Sequence, residues 1–384
     1  MNGRFSEQLK QLRNESRLRE IPTENNGLID LVSNDYLGLA TRSGEFREEF
    51  FDRFNDAVFS SSASRLLSRE QKYHNMLEER LGEVYNKKVL LFNSGYHANA
   101  GTLSALADSD TLFLSDALMH ASAIDGMMLG KGYGKSTVIR FPHNDVESLT
   151  ALLKEHYSGF GTIVIVTEGL FSMDGDFAPL NRIVELKREF PDILLYLDEA
   201  HSFGVYGEKG LGVAEESGLL DYIDILVGTF GKAGASAGAF IATNDTLHKF
   251  ILNRARSFIF STALPPVTAA WTLLMVEKIL EMQTERQKLR KLSAEFRALL
   301  SEINEKRYNP LIESSQIQPY LCGSAERAIM LASELRQAGF DVLPIRYPTV
   351  PIGTERLRFS LNANLTINDL LPIRKILNDH SNGR

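Results

Sequence analysis

The stretch Ile225-Leu226-Val227-Gly228-Thr229-Phe230-Gly231-Lys232 carries a short apolar run into a turn that ends on a lysine. A lysine in such a place can lose its proton, either by forming a Schiff base with a carbonyl or by leaving water for a shielded pocket. The small residues that follow, Ala233 and Gly234, let a flat group approach the backbone closely. An earlier apolar run ends in the acidic residue Asp198. We therefore interpret Lys232 as a candidate for covalent chemistry.

Seven short apolar runs alternate with helical stretches through the middle of the chain. Strands that alternate with helices are typical of a parallel sheet, because the helices form the crossovers between neighbouring strands. The pattern predicts an α/β fold in which helices cover both faces of a mostly parallel sheet. The runs are residues 89–92, 111–115, 137–141, 163–167, 194–197, 225–227 and 240–242.

Polar residues follow five of these runs. Ligands of open parallel sheets bind beyond the carboxyl ends of the strands, where loops and helix N-termini meet. We therefore expect the five polar segments to converge on one site. The segments are residues 93–95, 116–120, 168–172, 198–201 and 229–232.

The remaining pattern predicts a division into four parts. Residues 1–56 form an N-terminal segment that packs with a small domain, and residues 57–265 form a large domain that holds the candidate site. Residues 266–306 are charged and have few breakers, which favours a helical connector. Residues 307–384 read as a small α+β domain.

Composition excludes several classes of protein. The 42 basic and 49 acidic residues leave a net charge of -7, which disfavours a broad nucleic-acid-binding face. The single cysteine, Cys322, excludes an internal disulfide framework and a multi-cysteine metal site. The start of the chain lacks an apolar leader, and no run is long enough to cross a bilayer. We expect a cytoplasmic protein that binds neither nucleic acid nor membrane.

The candidate residues also have ordinary structural interpretations. The backbone amides of Gly95 and Tyr96 open a predicted helix and could bind a phosphate, but the same pattern is an ordinary helix cap. His120 and His201 could contact a cofactor ring, although a lone histidine is more often a core or surface residue. A carboxylate at Asp198 is suited to hold a pyridinium nitrogen protonated, as pyridoxal phosphate sites require.

Two further motifs are weaker. Residues 130–136 contain three glycines and a Lys-Ser pair, but Leu129 stands where a phosphate loop needs its first glycine and no strand precedes it. We expect a surface turn there. Asp198, Glu199 and His201 lack a third ligand at helical spacing, so we expect no metal site.

Seven motifs, in order along nearly the whole chain, resemble the α-oxoamine synthases. These are pyridoxal 5'-phosphate enzymes of the aspartate aminotransferase fold, known as fold type I. The resemblance implies a large cofactor-binding domain with a mostly parallel sheet and a small α+β domain. The motifs are Ser33-Asn34-Asp35-Tyr36-Leu37-Gly38-Leu39, Ser94-Gly95-Tyr96-His97-Ala98-Asn99, His120-Ala121-Ser122, Thr167-Glu168-Gly169-Leu170-Phe171-Ser172-Met173-Asp174-Gly175, Asp198-Glu199-Ala200-His201, Thr229-Phe230-Gly231-Lys232 and Ser261-Thr262-Ala263-Leu264-Pro265-Pro266.

The resemblance implies a role for each residue that binds the cofactor. Lys232 would hold the cofactor as a Schiff base, Asp198 would pair with its ring nitrogen, and His201 would bond its phenolate oxygen. His120 would stack on the ring, with Ser172 near the phenolate. Lys232, His120 and Asp198 would be the catalytic residues. The cofactor phosphate would be held by Gly95, Tyr96, Thr229 and, from a neighbouring subunit of a homodimer, Thr262.

The resemblance also implies the substrates. Arg358 and Asn34 would hold an amino-acid carboxylate, and Arg19 with Thr349 would line the acyl-donor side. Arg346 would read the far end of the acyl chain, although a salt-bridged surface arginine is the ordinary alternative. The motifs around residues 317–319 and 345–351 imply L-alanine and a pimeloyl thioester, carried by acyl-carrier protein or coenzyme A, in biotin biosynthesis.

Three alternatives stay open. The chain could be another α-oxoamine synthase that uses glycine or serine with a different acyl group, or an aminotransferase or carbon-sulfur lyase of the same fold. It could also be a non-catalytic partner subunit, but such a subunit has no use for Lys232 or Asp198.

Residues 60–66 depart from the family, because Ser-Ser-Ser-Ala-Ser-Arg-Leu stands where relatives have a glycine-rich turn.

Overall fold

The computed structural model describes residues 3–21, 27–303 and 314–380. Its internal contacts separate the chain into two compact units. The smaller unit contains Met1–Asn34, Met173–Asp176 and Gln287–Arg384, and the larger unit contains Asp35–Ser172 and Phe177–Arg286. The predicted end of the helical connector, at residue 306, lies outside the described residues. The four predicted parts stay a prediction.

The strands and helices follow one another along the described part of the chain. The strands are β1 (Ile29–Asp30), β2 (Lys88–Phe92), β3 (Thr111–Asp116), β4 (Thr137–Phe141), β5 (Thr162–Glu168), β6 (Leu194–Asp198), β7 (Ile225–Thr229), β8 (Ala239–Thr243), β9 (Ile317–Leu321), β10 (Phe340–Asp341), β11 (Leu343–Ile345) and β12 (Arg356–Ser360). The helices are α1 (Gly3–Asn14), α2 (Arg47–Phe54), α3 (Lys72–Tyr85), α4 (Gly95–Leu106), α5 (Ala121–Gly134), α6 (Val146–His156), α7 (Leu180–Glu189), α8 (Val213–Glu216), α9 (Asp245–Arg254), α10 (Arg256–Ile259), α11 (Pro266–Glu281), α12 (Gln283–Ile303), α13 (Ala325–Gln337) and α14 (Ile367–Asp379).

The larger unit is built on a seven-stranded sheet with the order β2-β8-β7-β6-β5-β3-β4. Strands β3 to β7 are parallel to their neighbours among themselves, whereas β8 is antiparallel to both β2 and β7. Each of the seven predicted runs lies in one of these strands. The predicted α/β fold with a mostly parallel sheet is therefore confirmed.

Helices α4 and α5 cover one face of this sheet. Alternate residues of a strand point to the same face, and the pairs Val164 and Val166, and Ile225 and Val227, all lie in one buried cluster. Leu103 of α4 and Met127 of α5 belong to the same cluster. The period-two pattern of the strands therefore buries one apolar face beneath two helices.

Three aromatic rings pack beneath the turn that follows β7. Phe230 stacks on Phe240 with ring centroids 5.3 Å apart, and Phe203 meets the edge of each ring. Gly228 lies against this group, because a Cβ atom there would come within 2.3 Å of the Phe240 ring. Only glycine fits at that position of β7 without moving the ring.

The smaller unit contains a three-stranded antiparallel sheet with the order β11-β12-β9. Strand β1 pairs in parallel with β10, and the backbone N–H of Ser360 donates to the carbonyl of Leu31 at 2.9 Å. Phe359 of β12 packs edge-on against Phe296 of α12, with ring centroids 5.3 Å apart. These contacts tie the segment before Asn34 to the C-terminal sheet within one unit.

The predicted surface turn at residues 130–136 is wrong for most of its length. Helix α5 continues to Gly134, and Lys135 ends it in the left-handed conformation with φ of 64°. A Cβ atom on Gly130 would come within 2.4 Å of the Ala107 side chain, and one on Gly134 within 2.4 Å of the Ala107 carbonyl oxygen. The glycines therefore serve a close contact between α5 and the end of α4.

No helix within residues 3–21, 27–303 or 314–380 is both long and apolar enough to cross a membrane.

Replacing Gly228 by Ala should lower the free energy of unfolding by about 1–3 kcal/mol, because the added methyl group overlaps the packed Phe240 ring. Gly132→Ala is the matched control, since Gly132 lies in α5 with no atom near its would-be Cβ. That variant should gain about 0.5–1 kcal/mol from helix propensity. Denaturant midpoints measure both changes. Equal midpoints for Gly228→Ala and the unaltered protein would show that the ring is free to move.

Candidate active site

The carboxyl ends of five strands meet at one edge of the large sheet. Strands β3, β5, β6 and β7 are parallel, and β2 shares their direction because β8 is antiparallel to both β2 and β7. Glu168 ends β5 directly opposite Asp198 at the end of β6. The direction of these strands therefore brings the five polar segments to the same edge of the sheet, as predicted.

The turn that carries Lys232 is closed by backbone hydrogen bonds. The N–H of Phe230 donates to the carbonyl of Gly238 at 2.9 Å, and that of Ser236 donates to the carbonyl of Phe230 at 3.0 Å. Ala235 adopts a positive φ of 45°, and its N–H donates to the carbonyl of Lys232 at 3.0 Å. Together with the buried Phe230 ring, these bonds fix the backbone from which the lysine side chain extends.

His201 links Lys232 to Tyr36. The Nε2 atom of His201 lies 2.7 Å from Lys232 Nζ, and its Nδ1 atom lies 2.6 Å from the Tyr36 hydroxyl oxygen. Tyr36 and His201 are both buried. Because each ring nitrogen has one close partner, the imidazole plane is fixed beside the lysine amine.

The Asp198 carboxylate is buried and receives hydrogen bonds on both oxygens. Its Oδ1 accepts from the backbone N–H of Ala200 at 2.9 Å, and its Oδ2 accepts from Nδ2 of Asn99 at 2.7 Å. Asn99 is oriented in turn, since its Oδ1 accepts from the Tyr196 hydroxyl at 2.6 Å. These donors satisfy a charge that would otherwise be costly to bury.

His120 is the N-cap of α5. Its Nδ1 accepts from the backbone N–H of Ser122 at 3.2 Å, and its own N–H donates to Oε1 of Glu168 at 2.7 Å. Desolvation lowers the pKa of the His120 imidazole, with Asp198 acting against this shift and Lys232 adding to it. Burial, followed by the charge of Asp198, raises the pKa of Glu168 well above its usual range.

The start of α4 offers a place for an anion. The Ser94 hydroxyl caps the helix by accepting from the N–H of His97 at 3.2 Å, so α4 begins at Gly95. The first N–H groups of a helix have no acceptor within the helix, and they form the positive end of its dipole. A Cβ atom on Gly95 would lie 3.8 Å from Thr229 Oγ1, which shows how close the two residues are. The structure thus brings Gly95 and Thr229 together, with Tyr96 next along the helix.

Thr262 lies in a loop that pairs with the segment departing from the family. Thr262 and Ser64 form an isolated antiparallel bridge, and the carbonyl of Thr262 accepts from Asn93 Nδ2 at 2.6 Å. Ser61 Oγ donates to the carbonyl of Leu264 at 3.0 Å. Thr262 itself is exposed. The contribution of Thr262 from a neighbouring subunit stays a prediction.

Ser172 lies in the turn after β5. An isolated bridge between Leu170 and Phe177 closes this turn, and the N–H of Ala178 donates to the carbonyl of Gly169 at 3.3 Å. Ser172 is partly buried. Its predicted place near the cofactor phenolate stays a prediction.

Glu199, directly after β6, bonds the backbone at the start of α8. Its carboxylate is fully buried and accepts from the N–H groups of Val213 at 3.0 Å and Ala214 at 2.8 Å, and from the hydroxyl of Ser202. A Cβ atom on Gly169 would come within 2.4 Å of Glu199 Oε2. Burial raises the pKa of Glu199 to about 7, against the opposing effect of its three donors.

The smaller unit pairs the predicted substrate-binding residues. Arg358 of β12 is buried, and its Nη2 donates to Oδ1 of Asn34 at 3.1 Å. Arg19 Nη2 donates to the Thr349 hydroxyl at 3.0 Å. Arg346 donates to the backbone carbonyl of Ser16. The segment around residues 16–19 is therefore bonded to the loop around residues 346–349.

Several side chains at the site were missed by the sequence reasoning. Tyr36, Asn99, Ser122 and Glu168 lie within quoted motifs, but their side chains received no role. Tyr196 had a readable signal, because it stands two residues before Asp198 on the same strand and so shares its face. Within the described ranges, no group of three or more His, Cys, Asp or Glu residues could hold a metal ion.

The family model for aminotransferase class I and II matches residues 26–375. This match spans most of the chain, which therefore belongs to that family. The resemblance drawn from the seven motifs is confirmed at this level.

A closer relationship is visible among individual proteins. The chain is 42% identical over 376 residues to a Pasteurella multocida protein named "Putative 8-amino-7-oxononanoate synthase", covering 94% of this chain and 95% of that protein. Among solved structures, a serine palmitoyltransferase variant from S. paucimobilis with a bound PLP-myriocin aldimine superposes with a TM-score of 0.86 at 26% identity, covering 98% of this chain and 96% of that one. An 8-amino-7-oxononanoate synthase from Francisella tularensis superposes with a TM-score of 0.76 at 27% identity, covering 92% and 97%.

Glu199 should make stability depend on pH. Its pKa is about 7 in the folded chain against 4.5 for an ordinary glutamate, so the folded state binds the extra proton between those values. Stability from this group is therefore present below pH 4.5 and is lost as the pH rises to about 7, by about 3 kcal/mol in all. Glu199→Gln cannot ionise, so unfolding free energies measured against pH should fall less steeply for this variant than for the unaltered protein.

The control for this experiment is Glu155→Gln, which changes an exposed carboxylate. Its pH profile should follow that of the unaltered protein. If the Glu199→Gln profile also kept the same slope between pH 4.5 and 7, the raised pKa of Glu199 would be refuted.

Proposed function

We propose that this chain is a pyridoxal-phosphate acyltransferase that condenses L-alanine with a pimeloyl thioester. The products are 8-amino-7-oxononanoate, carbon dioxide and the free thiol of acyl-carrier protein or coenzyme A, which is a step of biotin biosynthesis. The observation that carries the proposal is the Lys232 amine, 2.7 Å from His201 and set among the strand ends that hold Asp198. The 42% identity to the Pasteurella protein supports the choice of substrates.

The donor set of the larger unit fits pyridoxal 5'-phosphate. The cofactor needs an amine for covalent attachment, a carboxylate for its ring nitrogen and an anion site for its phosphate. Lys232, the hydrogen-bonded Asp198 carboxylate and the start of α4 at Gly95 supply these three groups. When bound, the cofactor serves as an electron sink for the pair of electrons left at an amino-acid α-carbon.

Each residue then has a defined task. Lys232 Nζ would hold the cofactor covalently, Asp198 would keep the ring nitrogen protonated, and His201 Nε2 would bond the phenolate oxygen. His120 would contact the ring, and Ser172 would bind near the phenolate. Gly95, Tyr96, Thr229 and Thr262 would bind the phosphate.

The amino acid is held by the arginine of β12. Arg358, already bonded to Asn34, presents a guanidinium that binds a carboxylate through two parallel hydrogen bonds. The amine of Lys232, released when alanine takes its place, removes the α-proton at Nζ. His201 stays beside Nζ and, through its bond to Tyr36, keeps its orientation while the proton moves.

The loop around residue 346 recognises the acyl donor. Arg19 and Thr349 are bonded to each other and line the acyl side. Arg346 binds the polar far end of the pimeloyl chain. Attack of the α-carbon on the thioester carbonyl breaks the carbon–sulfur bond, and the thiolate that leaves takes up a proton to give the free thiol. Loss of carbon dioxide then leaves an electron pair at the α-carbon, and a proton delivered there, which Lys232 Nζ can supply, gives the amino ketone.

Assembly as a cytoplasmic homodimer is part of the proposal. Large apolar side chains are exposed beside the loop that carries Thr262, and exposed apolar patches on a folded chain favour an interface. Phe59 is 82% exposed, Leu67 75% and Phe260 71%. A second copy on this surface would bury these side chains and bring its Thr262 to the phosphate.

A second candidate function has one observation in its favour. The serine palmitoyltransferase variant superposes with the higher TM-score, 0.86 against 0.76, at nearly the same identity as the Francisella enzyme. The candidate is a condensation of serine with a long-chain acyl thioester. Substrate preference distinguishes it from the pimeloyl reaction.

The purified protein should absorb visible light through the covalent link between Lys232 and the cofactor, and Lys232→Ala should abolish the band. Reduction with borohydride followed by peptide mapping should find the label on Lys232. Lys131→Ala, which changes an exposed lysine of α5, is the control and should keep the band. A label on another lysine would contradict the assignment.

Arg346→Ala should depress turnover with pimeloyl thioester by roughly tenfold or more, because a charge-assisted hydrogen bond contributes on the order of 1.5–3 kcal/mol. Steady-state turnover should be measured with pimeloyl, acetyl and palmitoyl thioesters, each with alanine, glycine or serine, and the products identified by mass. Exchange of the α-proton of L-alanine in heavy water should survive, since Arg346 acts only on the acyl group.

Arg374→Ala, an exposed change on α14, is the matched control and should leave every rate unchanged. Preference of the unaltered protein for palmitoyl with serine would support the second candidate function. Preference for acetyl with glycine would overturn both candidates while leaving the family assignment intact.

A further inference from the structure

A continuous hydrogen-bonded chain joins Asp198 to His120. Asn99 Nδ2 donates to Asp198 Oδ2 at 2.7 Å and to Ser122 Oγ at 2.9 Å. Ser122 Oγ lies 2.7 Å from His120 Nδ1. Asn99 and Ser122 are both buried. The two side chains thus connect the carboxylate at the end of β6 to the imidazole at the start of α5.

The proton positions in this hydrogen-bonded chain follow from two groups that bond Asn99, namely Asp198 and Tyr196. The Asp198 carboxylate can only accept, and burial raises the pKa of Tyr196 well above its usual range, so the Tyr196 hydroxyl keeps its proton and donates to Asn99 Oδ1. The amide of Asn99 is therefore oriented with its NH2 group toward Asp198 and Ser122. Each of its two hydrogens has one acceptor.

The same reasoning gives the direction of the Ser122 hydroxyl. Since Ser122 Oγ accepts from Asn99, its own proton is available for His120 Nδ1 at 2.7 Å. The backbone N–H of Ser122 donates to the same nitrogen at 3.2 Å. A backbone N–H can only donate, so Nδ1 acts as an acceptor and carries no proton, and the Ser122 hydroxyl is then the second donor to it.

We propose that Asn99 and Ser122 are positioning residues that hold His120 as a neutral imidazole with its proton on Nε2. This inference deepens the proposed function and rests on it only for the role of His120 in the reaction. Desolvation of the ring lowers its pKa, as does Lys232, whereas Asp198 and Asp125 act in the opposite sense. Burial also raises the pKa of Glu168, which accepts from the His120 backbone N–H.

The proton on Nε2 defines what His120 can do. With Nε2 already protonated, the one basic lone pair of the ring is on Nδ1, where the hydrogen bonds from Ser122 engage it and keep it from taking the α-proton. His120 is therefore a hydrogen-bond donor and not a base, and removal of the α-proton is left to Lys232. Because Asn99 bonds Asp198 directly and reaches His120 through Ser122, the orientation of Asp198 and the tautomer of His120 are set together.

Nitrogen NMR of the protein labelled with ¹⁵N-histidine tests the proposal, because the two ring nitrogens have different shifts in each tautomer. The His120 signals are assigned by their loss in His120→Asn. In the protein as purified they should show the Nε2–H tautomer at neutral pH. Ser122→Ala removes one donor to Nδ1 and should raise the apparent pKa of His120 by up to about one unit.

Two further variants complete the experiment. Asn99→Ala frees the Ser122 hydroxyl to turn, so it should also populate the Nδ1–H tautomer. Ser148→Ala, whose hydroxyl bonds Asp145 at the start of α6, is the control and should leave the His120 signals unmoved. Circular dichroism confirms that each variant is folded.

An Nδ1–H tautomer or an imidazolium in the unaltered protein at neutral pH would overturn the proposal, as would unmoved His120 signals in folded Ser122→Ala. These outcomes do not depend on turnover. Failure of the pimeloyl reaction would instead contradict the proposed function and leave the NMR result standing.

Discussion

The packing of the larger unit depends on the carboxylate of Asp198, which is buried at the end of β6. An unpaired charge in a protein interior costs several kcal/mol, so Asp198 is tolerated only where donors reach both of its oxygens. One donor comes from its own loop at Ala200 and the other from Asn99 on α4. Helix α4 must therefore lie against the sheet in one register, and that register also brings Gly95 beside Thr229.

The fold was largely predictable because its signals are local. Seven apolar runs of strand length, separated by helical stretches, allow few arrangements other than a mostly parallel sheet. The meeting of the five polar segments at one edge of the sheet was predictable for the same reason, since residues that follow parallel strands must share one edge. The roles of the individual residues stay predictions. Residues 130–136 were misread because glycines usually mark turns. Here Gly130 and Gly134 leave space for Ala107, a partner distant in sequence that no local pattern reveals.

The residues missed by sequence reasoning act through other side chains. Tyr36 orients His201, and Asn99 orients Asp198. Both residues lie within the quoted motifs, but no local pattern indicates which side chain each of them contacts. Glu168 is a different case. It stands opposite Asp198 in register, and burial together with the charge of Asp198 raises its pKa, an effect that no sequence pattern indicates. Which residues face each other on neighbouring strands depends on the order of the strands in the sheet, and the sequence does not state that order.

The hydrogen bonds from Arg19 to Thr349 and from Arg346 to Ser16 join the beginning of the chain to a loop near its end. In the proposed reaction, the groups that choose the acyl chain are thus encoded in two distant parts of the gene, while the amine chemistry lies between them. A chimera that exchanged only the C-terminal third with a relative would separate Arg346 from its native partner. Swapping acyl preference between relatives therefore requires both terminal segments to be transplanted together.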